Sequence, residues 1–291
     1  RSGLMHPRVA YVTHSGSAAP DPDIDVALPA LEAAGLDPEV CAWDGDATWD
    51  AFDLVLVRSA WDHSARRQDF LRWARSVEDQ TRLANPALTL ARNTDRTYLR
   101  DLRKQGFPVV DTVWLEPGDD PAVAEAQIDA RGWERCAVRP HVGTGSAGVE
   151  VADGVAQAAR TAAGLAAQGA VAMVQPAYWS DQAHRSVVVL DGQITHAVTA
   201  PVGSTAPKPA DVDEGVADLT RAVFDSARAG EQLLYARVDL VHDDSDWLLW
   251  GFEATDPCLY LDATSAGALG QAVREWIMPE AQARDFLVGS G

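Results

Sequence analysis

The spacing of hydrophobic residues in the first third of the chain predicts an α/β unit. Aliphatic runs at 8–13, 38–43 and 52–57 are predicted strands, because each is short, apolar and followed by loop-forming or polar residues. Apolar positions recur at helical spacing over 23–34, which is followed by a glycine, and a second helix is predicted over 67–77. Strands that alternate with helices in this way favour a mainly parallel sheet.

Beyond this unit the pattern predicts further helices and at least two hairpins. Asn85 and Pro86 are predicted to form a linker, and a helix is predicted from Asn93 to Gly106. An Asp-Gly turn inside 186–198 is a strong hairpin signal. The remaining predicted elements are strands at 107–110, 112–115, 133–138 and 171–176, and helices at 122–130, 152–168, 214–229 and 269–277.

A second predicted hairpin, over 235–253, carries the strongest candidate chemistry. Arg237 and Asp239 lie two residues apart in a strand, so their side chains project from the same face. Antiparallel pairing would bring Glu253, near the end of the returning strand, opposite Asp239. A hard divalent cation suits two such carboxylates, and Mg²⁺ usually binds together with substrate phosphates. The alternative is that these side chains face water as an ordinary surface ladder.

A polar cluster stands where the third predicted strand ends. Arg58, Trp61, Asp62 and His63 follow the strand directly, and ligands bind at this carboxyl edge in open α/β sheets. An arginine with a carboxylate suits a zwitterion such as an amino acid. The alternative is a helix start capped by Ser59 or Asp62, with Arg58 paired to a carboxylate. Both interpretations stay open from the residues alone.

A glycine-rich turn follows the strand that ends at Arg139. Gly143, Gly145 and Gly148 alternate there with hydroxyl residues, and such a turn can direct successive backbone N–H groups toward an anion. The alternative is a hairpin tip that binds nothing. No Gly-Lys-Ser/Thr sequence follows, which argues against a Walker phosphate loop.

Composition narrows the class of protein. The 291 residues are 47% hydrophobic, and Lys+Arg 24 against Asp+Glu 43 gives a net charge of −19. This excess of acid argues against nucleic acid or an anionic membrane as a partner. The three cysteines are far apart in the sequence, so neither a disulfide framework nor a zinc site is predicted. No run of 18 apolar residues occurs, and we expect a cytoplasmic protein.

The order of these pieces resembles that of the ATP-grasp ligases over residues 8–285. Four motifs are most similar to the branch that contains the cycloserine-forming O-ureido-serine cyclo-ligase. They are Arg58-Ser-Ala-Trp-Asp, Asn93-Thr-Asp-Arg-Thr-Tyr-Leu, Ser186-Val-Val-Val-Leu-Asp-Gly and Tyr235-Ala-Arg-Val-Asp. The resemblance implies a mixed α/β (α+β) fold in which two domains grip ATP behind an N-terminal α/β domain. The expected domains are 5–85 for substrate, 86–178 with the glycine-rich loop and 179–291 with the metal site.

The resemblance also implies roles for individual residues. Asp239 and Glu253 are expected to hold Mg²⁺, with Thr255 where an asparagine often completes the site and Asp256 as its alternative. Arg237 is expected to stabilise charge during the reaction. The residues expected to contact ATP are Arg96, Arg139, Gly143, Thr144, Gly145, Ser146, Val174, Gln175 and His184. Those expected to contact the substrate are Arg58, Trp61, Asp62 and Arg185.

The implied reaction joins a carboxylate to an amine. ATP would phosphorylate the carboxylate of a small amino-acid substrate, and a nitrogen would then displace phosphate, within one molecule in the cyclo-ligase branch. Arg96 and Arg139 depart from the lysines that the superfamily usually has at these positions, and the two side chains are not equivalent in geometry. The alternatives are an intermolecular dipeptide ligase and a binding module without turnover. A homodimer is an open possibility for the assembly.

Overall fold

The computed structural model describes residues 6–16, 21–143, 148–177, 184–199, 207–243 and 245–278. Within these ranges the chain forms three sheets and eight α-helices. None of the helices described is both long enough and apolar enough to cross a membrane.

The first sheet has four parallel strands in the order β2-β1-β3-β4, which confirms the predicted parallel sheet. Its strands are β1 (Arg8–Thr13), β2 (Asp37–Ala42), β3 (Leu54–Ser59) and β4 (Leu83–Ala84), and its helices are α1 (Ile24–Ala33) and α2 (Arg67–Glu78). Every residue of β3 is buried, as expected for a strand with neighbours on both sides and cover on both faces. Strand β4 was not predicted, because two residues carry no periodicity.

The second and third sheets are mainly antiparallel. The second runs β11-β10-β9-β12-β13 and the third runs β5-β8-β6-β7. The strands are β5 (Val113–Leu115), β6 (Arg135–Pro140), β7 (Glu150–Asp153), β8 (Ala172–Pro176), β9 (His184–Leu190), β10 (Gln193–Thr199), β11 (Lys208–Ala210), β12 (Tyr235–His242) and β13 (Trp247–Glu253). The helices are α3 (Ala87–Asn93), α4 (Tyr98–Lys104), α5 (Pro121–Asp129), α6 (Val155–Ala167), α7 (Glu214–Ala227) and α8 (Ala263–Ile277).

Helix α8 returns the end of the described chain to the first sheet by packing against α1. Gly270 makes this contact possible, because a Cβ added there would lie 2.6 Å from the carbonyl oxygen of Ala30. Tyr235 makes a second connection, since its hydroxyl donates to the carbonyl oxygens of Val57 at 2.5 Å and Thr255 at 2.9 Å. These contacts hold the carboxyl edge of the first sheet beside the β12–β13 hairpin.

Three local predictions were wrong. The helix predicted from Asn93 to Gly106 is divided, because α3 ends at Asn93 and α4 begins only at Tyr98. The predicted linker residue Asn85 is buried and donates to the carbonyl oxygens of Tyr235 and Ala254, each at 2.8 Å. The predicted strand 107–110 makes a single bridge to β13. In these places the backbone conformation depends on contacts with distant parts of the chain, and a local sequence pattern carries no information about such contacts.

Candidate active site

The β12–β13 hairpin brings the predicted charged residues onto one sheet face. Arg237 is paired with Glu253, and Asp239 is paired with Gly251. The prediction that Glu253 lies directly opposite Asp239 was therefore wrong, because Glu253 lies opposite Arg237, two residues before Asp239 on β12. A bulge between Asp239 and Leu240 interrupts the pairing just beyond this point. Since partners across two strands and residues two apart share a face, the arginine and both carboxylates still project from the same side.

Arg237 holds Asp239 through both oxygens. Its Nε lies 2.8 Å from Oδ1 and its Nη2 lies 2.9 Å from Oδ2, while Nη1 donates to the carbonyl of Cys258 at 3.0 Å. Burial by itself would lower the pKa of this guanidinium, but the combined effect of Asp239, Tyr260 and Glu253 is larger and raises the pKa above its ordinary value. The pair is therefore a well-formed ion pair at neutral pH.

Two further arginines reach the same face from other elements. Arg96 comes from the segment between α3 and α4, and its Nη2 lies 3.6 Å from Oε1 of Glu253. Arg139 comes from β6 and lies 4.6 Å from the centre of the Trp250 ring, with Nη2 3.3 Å from the Trp250 carbonyl oxygen. Both side chains are almost fully buried. Burial, reinforced by the Arg96 charge, lowers the pKa of Arg139 to about 9.

The charge of Arg139 is incompletely compensated within the cluster. Three guanidiniums (Arg96, Arg139 and Arg237) meet two carboxylates (Asp239 and Glu253). Burial raises the pKa of Glu253, and Asp256 lies near enough to contribute to the rise. Buried charges are costly unless they are paired, and Nε of Arg139 is a buried donor without a partner. A polyanion would supply Arg139 with an acceptor and with negative charge.

The space beside Gly251 would accommodate Mg²⁺ next to the carboxylates of Asp239 and Glu253. A Cβ added to Gly251 would lie 3.7 Å from Oε1 of Glu253 and 3.8 Å from Oδ2 of Asp239. The two oxygens thus flank a position that the absent side chain leaves open. The donors are hard carboxylate oxygens, and Mg²⁺ commonly binds one or two of these together with phosphates and water.

The predicted third metal ligand, Thr255, is engaged elsewhere. Its hydroxyl donates to Oδ1 of Asn93 at 3.0 Å, and its residue is buried. The alternative, Asp256, is also buried, and its Oδ1 lies 3.3 Å from Nε2 of His63. Metal binding by Thr255 or Asp256 stays a prediction, because among the described residues neither side chain contacts Asp239.

The other residues predicted to contact ATP, besides Arg96 and Arg139, lie on β8, on β9 and in the glycine-rich turn. Val174 and Gln175 are fully buried on β8, where the Gln175 amide donates to Thr112 Oγ1 at 2.9 Å and its Oε1 has no partner. His184 is nearly buried at the start of β9, and the half-buried Gly143 precedes the turn. The other three predicted contacts, Thr144, Gly145 and Ser146, lie outside the described residues.

The predicted substrate edge is largely occupied by contacts within the protein. Arg58 has no solvent exposure, and its Nη2 contacts Asp23 Oδ2 at 3.3 Å and the Pro257 carbonyl at 2.9 Å. Asp62 accepts from Trp43 at 2.8 Å and Arg66 at 3.1 Å. Of the two open interpretations, the structure favours pairing of Arg58 with a carboxylate. A short 3-10 helix, Trp61–Ser64, follows β3, and the predicted side-chain cap is not formed there.

The two other predicted substrate residues do not share a face: Arg185 is paired with Leu240, next to the Ser186–Asp239 pair, so its side chain projects from the sheet face opposite to that of Asp239 and its predicted place beside the cluster was wrong. Trp61 is half-buried, and its Nε1 lies 3.4 Å from the carbonyl oxygen of Asp256. Arg185 lies on β9 with its guanidinium 5.3 Å from the centre of the Trp247 ring, and its Nη1 donates to the His184 carbonyl at 2.9 Å.

Sequence reasoning missed the buried residues that hold the site together. Asn93 donates to the Phe252 carbonyl at 2.7 Å and accepts from the Ala254 amide at 2.7 Å. Asp23 accepts from the backbone amides of Leu259 at 2.7 Å and Leu261 at 2.9 Å. Both residues were predicted only as the first residues of helices, and nothing in their local sequence indicates a hydrogen bond to a distant segment.

The described geometry thus offers a cationic pocket with two carboxylates and no prearranged nucleophile. Arginines placed around an open position can bind phosphates and stabilise developing negative charge. These are the requirements of phosphoryl transfer, which depends on positioning and electrostatics.

Comparisons with known proteins agree on one group of relatives. A family profile described as the N-terminal domain of D-cycloserine synthetase DcsG matches residues 9–85. The cycloserine biosynthesis protein DcsG of Streptomyces lavendulae is 30% identical over 299 residues, covering 93% of this chain and 99% of the relative. The crystal structure of D-cycloserine synthetase DcsG superposes with a TM-score of 0.83 at 27% identity, covering 93% of this chain and 99% of that one.

More distant structures share the fold. A D-alanine–D-alanine ligase from Bacillus anthracis in complex with ATP superposes with a TM-score of 0.69 at 12% identity, over 96% of this chain and 99% of that one. A RimK domain protein of Sphaerobacter thermophilus, described as ATP-grasp, gives a TM-score of 0.67 at 17% identity, over 93% of this chain and 97% of that one.

Proposed function

The chain belongs to the family of the cycloserine biosynthesis protein DcsG and has the ATP-grasp fold, and on this basis we propose that it is an ATP-dependent ligase of cycloserine biosynthesis. The three sheets support a division into an N-terminal α/β domain (5–85), a central domain (86–178) and a C-terminal domain (179–291), because each sheet falls within one of these ranges. The ligand pocket would lie where the last two domains meet.

One observation carries this proposal: Arg96 and Arg139 converge with Arg237, Asp239 and Glu253 from three separate parts of the chain. Burial of the Arg139 guanidinium with an unpartnered Nε is costly in the isolated protein. An ATP polyphosphate would supply the missing acceptor and negative charge. Arg96 and Arg139 would bind the phosphates, and the forked guanidinium suits a phosphate as well as a lysine does.

The metal and the catalytic arginine have distinct tasks in this proposal. Asp239 and Glu253 would hold Mg²⁺, which when bound neutralises charge on the phosphates. A carboxylate oxygen of the substrate attacks the γ-phosphorus, and the bond between that phosphorus and ADP breaks. The product is an acyl phosphate. Arg237 stabilises the negative charge that develops on this group and on the tetrahedral intermediate that follows.

The second step forms the carbon–nitrogen bond. A nitrogen of the substrate attacks the acyl carbon, loses a proton, and inorganic phosphate leaves. We propose an amino-acid derivative such as O-ureido-D-serine as substrate, so that acid and nucleophile belong to one molecule. A well-oriented nucleophile within the same molecule can have an effective concentration of about 10⁵ M or more, and no second amino-acid pocket is then required. Trp61 is the candidate contact for it.

The test measures ADP formation with Mg-ATP and O-ureido-D-serine as the only amino acid. We expect ADP and a cyclic product in equal amounts, without any dependence on an added amine. ADP release that requires two amino acids would instead indicate an intermolecular dipeptide ligase. Nucleotide binding without ADP release from any small amino acid would indicate a binding module. Asp239→Asn is the matched inactive control.

A further inference from the structure

The two oxygens of Asp239 are not equivalent. Oδ1 accepts from the Ser186 hydroxyl at 2.6 Å and from Arg237 Nε at 2.8 Å. Oδ2 accepts only from Arg237 Nη2, at 2.9 Å, among the described residues. A carboxylate oxygen has about two acceptor positions, so Oδ1 is saturated and Oδ2 keeps one position free. A cation can therefore bind Oδ2 without displacing any of these donors.

Asp239 Oδ2 lies beside the position that a side chain at Gly251 would occupy. A Cβ at Gly251 would lie 3.8 Å from Asp239 Oδ2, 3.7 Å from Glu253 Oε1 and 4.0 Å from the Tyr98 hydroxyl. Glycine weakens the interior of a strand, and its presence there often marks a close approach by a ligand. Gly251 does not have a positive φ, so backbone conformation does not require a glycine at this position. Space does.

The irregular pairing opposite Gly251 points to the same place. Asp239 is its cross-strand partner, and the bulge follows immediately between Asp239 and Leu240. Bulges are concentrated beside active sites, where they change the direction of a side chain.

We propose that Ser186 and Gly251 are the positioning residues of the cation site. Ser186 fixes Oδ1 of Asp239, which directs Oδ2 across the strand toward Glu253, and Gly251 keeps the space between the two oxygens free of a side chain. This assignment rests on the proposed function, because it refines the site at which that function would hold its metal. It assigns roles to two residues that carry no charge.

The direct test titrates Mn²⁺ into the protein with ADP and follows free Mn²⁺ by electron paramagnetic resonance. Ser186→Ala removes one hydrogen bond to a metal-holding carboxylate, and losses of this kind typically weaken metal affinity by about 10–100-fold. Ser186→Thr retains the hydroxyl on a β-branched side chain suited to a strand, and we expect it to recover most of the affinity. Gly251→Ala places a methyl in the open space, and we expect at least about tenfold weaker Mn²⁺ binding.

Gly251→Ala should fold normally, since its added Cβ meets the nearest atoms at ordinary contact distances. Two matched controls change residues that make no described contact with Asp239, Glu253 or the three arginines. Ser226→Ala removes a 2.7 Å hydrogen bond to Gln105 on the surface, and Gly164→Ala adds a methyl with no atom within 4 Å. Both should retain the Mn²⁺ affinity of the wild type.

The outcomes separate this inference from the proposed function. If the wild type binds Mn²⁺ with ADP and both Ser186→Ala and Gly251→Ala bind equally well, the positioning roles are wrong while the ligase proposal stands. If Ser186→Thr is as weak as Ser186→Ala, the hydroxyl is not what matters. A wild type that does not bind Mn²⁺ even with ADP contradicts the proposed metal site itself, and this inference with it.

Discussion

Replacing Arg139 by methionine should stabilise the nucleotide-free protein and, at the same time, abolish its response to nucleotide. The guanidinium is 3% exposed, and its Nε has no hydrogen-bond partner. Its pKa is lowered from the ordinary value of an arginine to about 9, mainly by burial and secondly by Arg96. Because the pKa of a base falls on folding, the cost is present at every pH below about 9 and declines only above it.

The magnitude follows from the same pKa. At about 1.4 kcal/mol for each tenfold change in proton affinity, a fall from the ordinary pKa of an arginine to about 9 corresponds to about 5 kcal/mol of unfavourable free energy in the folded state. Methionine keeps much of the unbranched stem but loses the contact over the Trp250 ring, worth about 1–2 kcal/mol, and one hydrogen bond of about 1 kcal/mol. The unfolding free energy should therefore rise by about 2–3 kcal/mol.

Thermal unfolding at pH 7 with and without Mg-ADP measures both effects. A gain of 1 kcal/mol raises the melting temperature by roughly 2–4 °C for a chain of this size class. The wild type should gain a further stabilisation of about 2.7 kcal/mol at a ligand concentration of one hundred times Kd, and the variant should gain far less.

Arg66→Met is the matched control, because Arg66 lies 4.4 Å from the centre of the Trp43 ring but is paired with Asp44 and Asp62. It should not stabilise the protein, and the Mg-ADP response should be unchanged. If Arg139→Met instead lowers the unfolding free energy, neighbouring carboxylates already compensate the buried charge. The inference that the pocket binds a polyanion to compensate Arg139 would then be refuted.

Three other predictions test the site and its support. Asp239→Asn and Glu253→Gln should each abolish ADP formation while circular dichroism shows an intact fold; full activity in either would remove that residue from the metal site. Asn93→Ala should lower the unfolding free energy by about 2–4 kcal/mol, since it leaves buried backbone groups of β13 unpaired; a loss below 1 kcal/mol by urea titration would contradict this. Burial raises the pKa of Asp44, but hydrogen bonds from Arg66 and Ser15 outweigh it and lower the pKa to about 2. The stability difference between wild type and Asp44→Asn should be constant above pH 4 and should shrink between pH 4 and 2; a difference that is independent of pH would exclude the ion pair.

The sequence alone determined the elements whose stability is local. Alternation in β12 predicted that Arg237 and Asp239 share a face, because residues two apart in a strand always do. The Asp-Gly turn predicted the β9–β10 hairpin, and both turn residues have positive φ. The short motifs and their order also identified the ATP-grasp resemblance, which the comparisons confirm.

Tertiary structure alone decided which residues meet across the chain. Arg139 and Trp250 are 111 positions apart, and Asn85 and Tyr235 are 150 apart, yet each pair is in contact. No periodicity records such pairs, because they depend on how separately formed elements pack. For the same reason Arg58, which the pattern placed at a ligand edge, proved to be fully buried against Asp23. A bulge of one residue likewise set the pairing of Glu253, since register depends on both strands and on the turn between them.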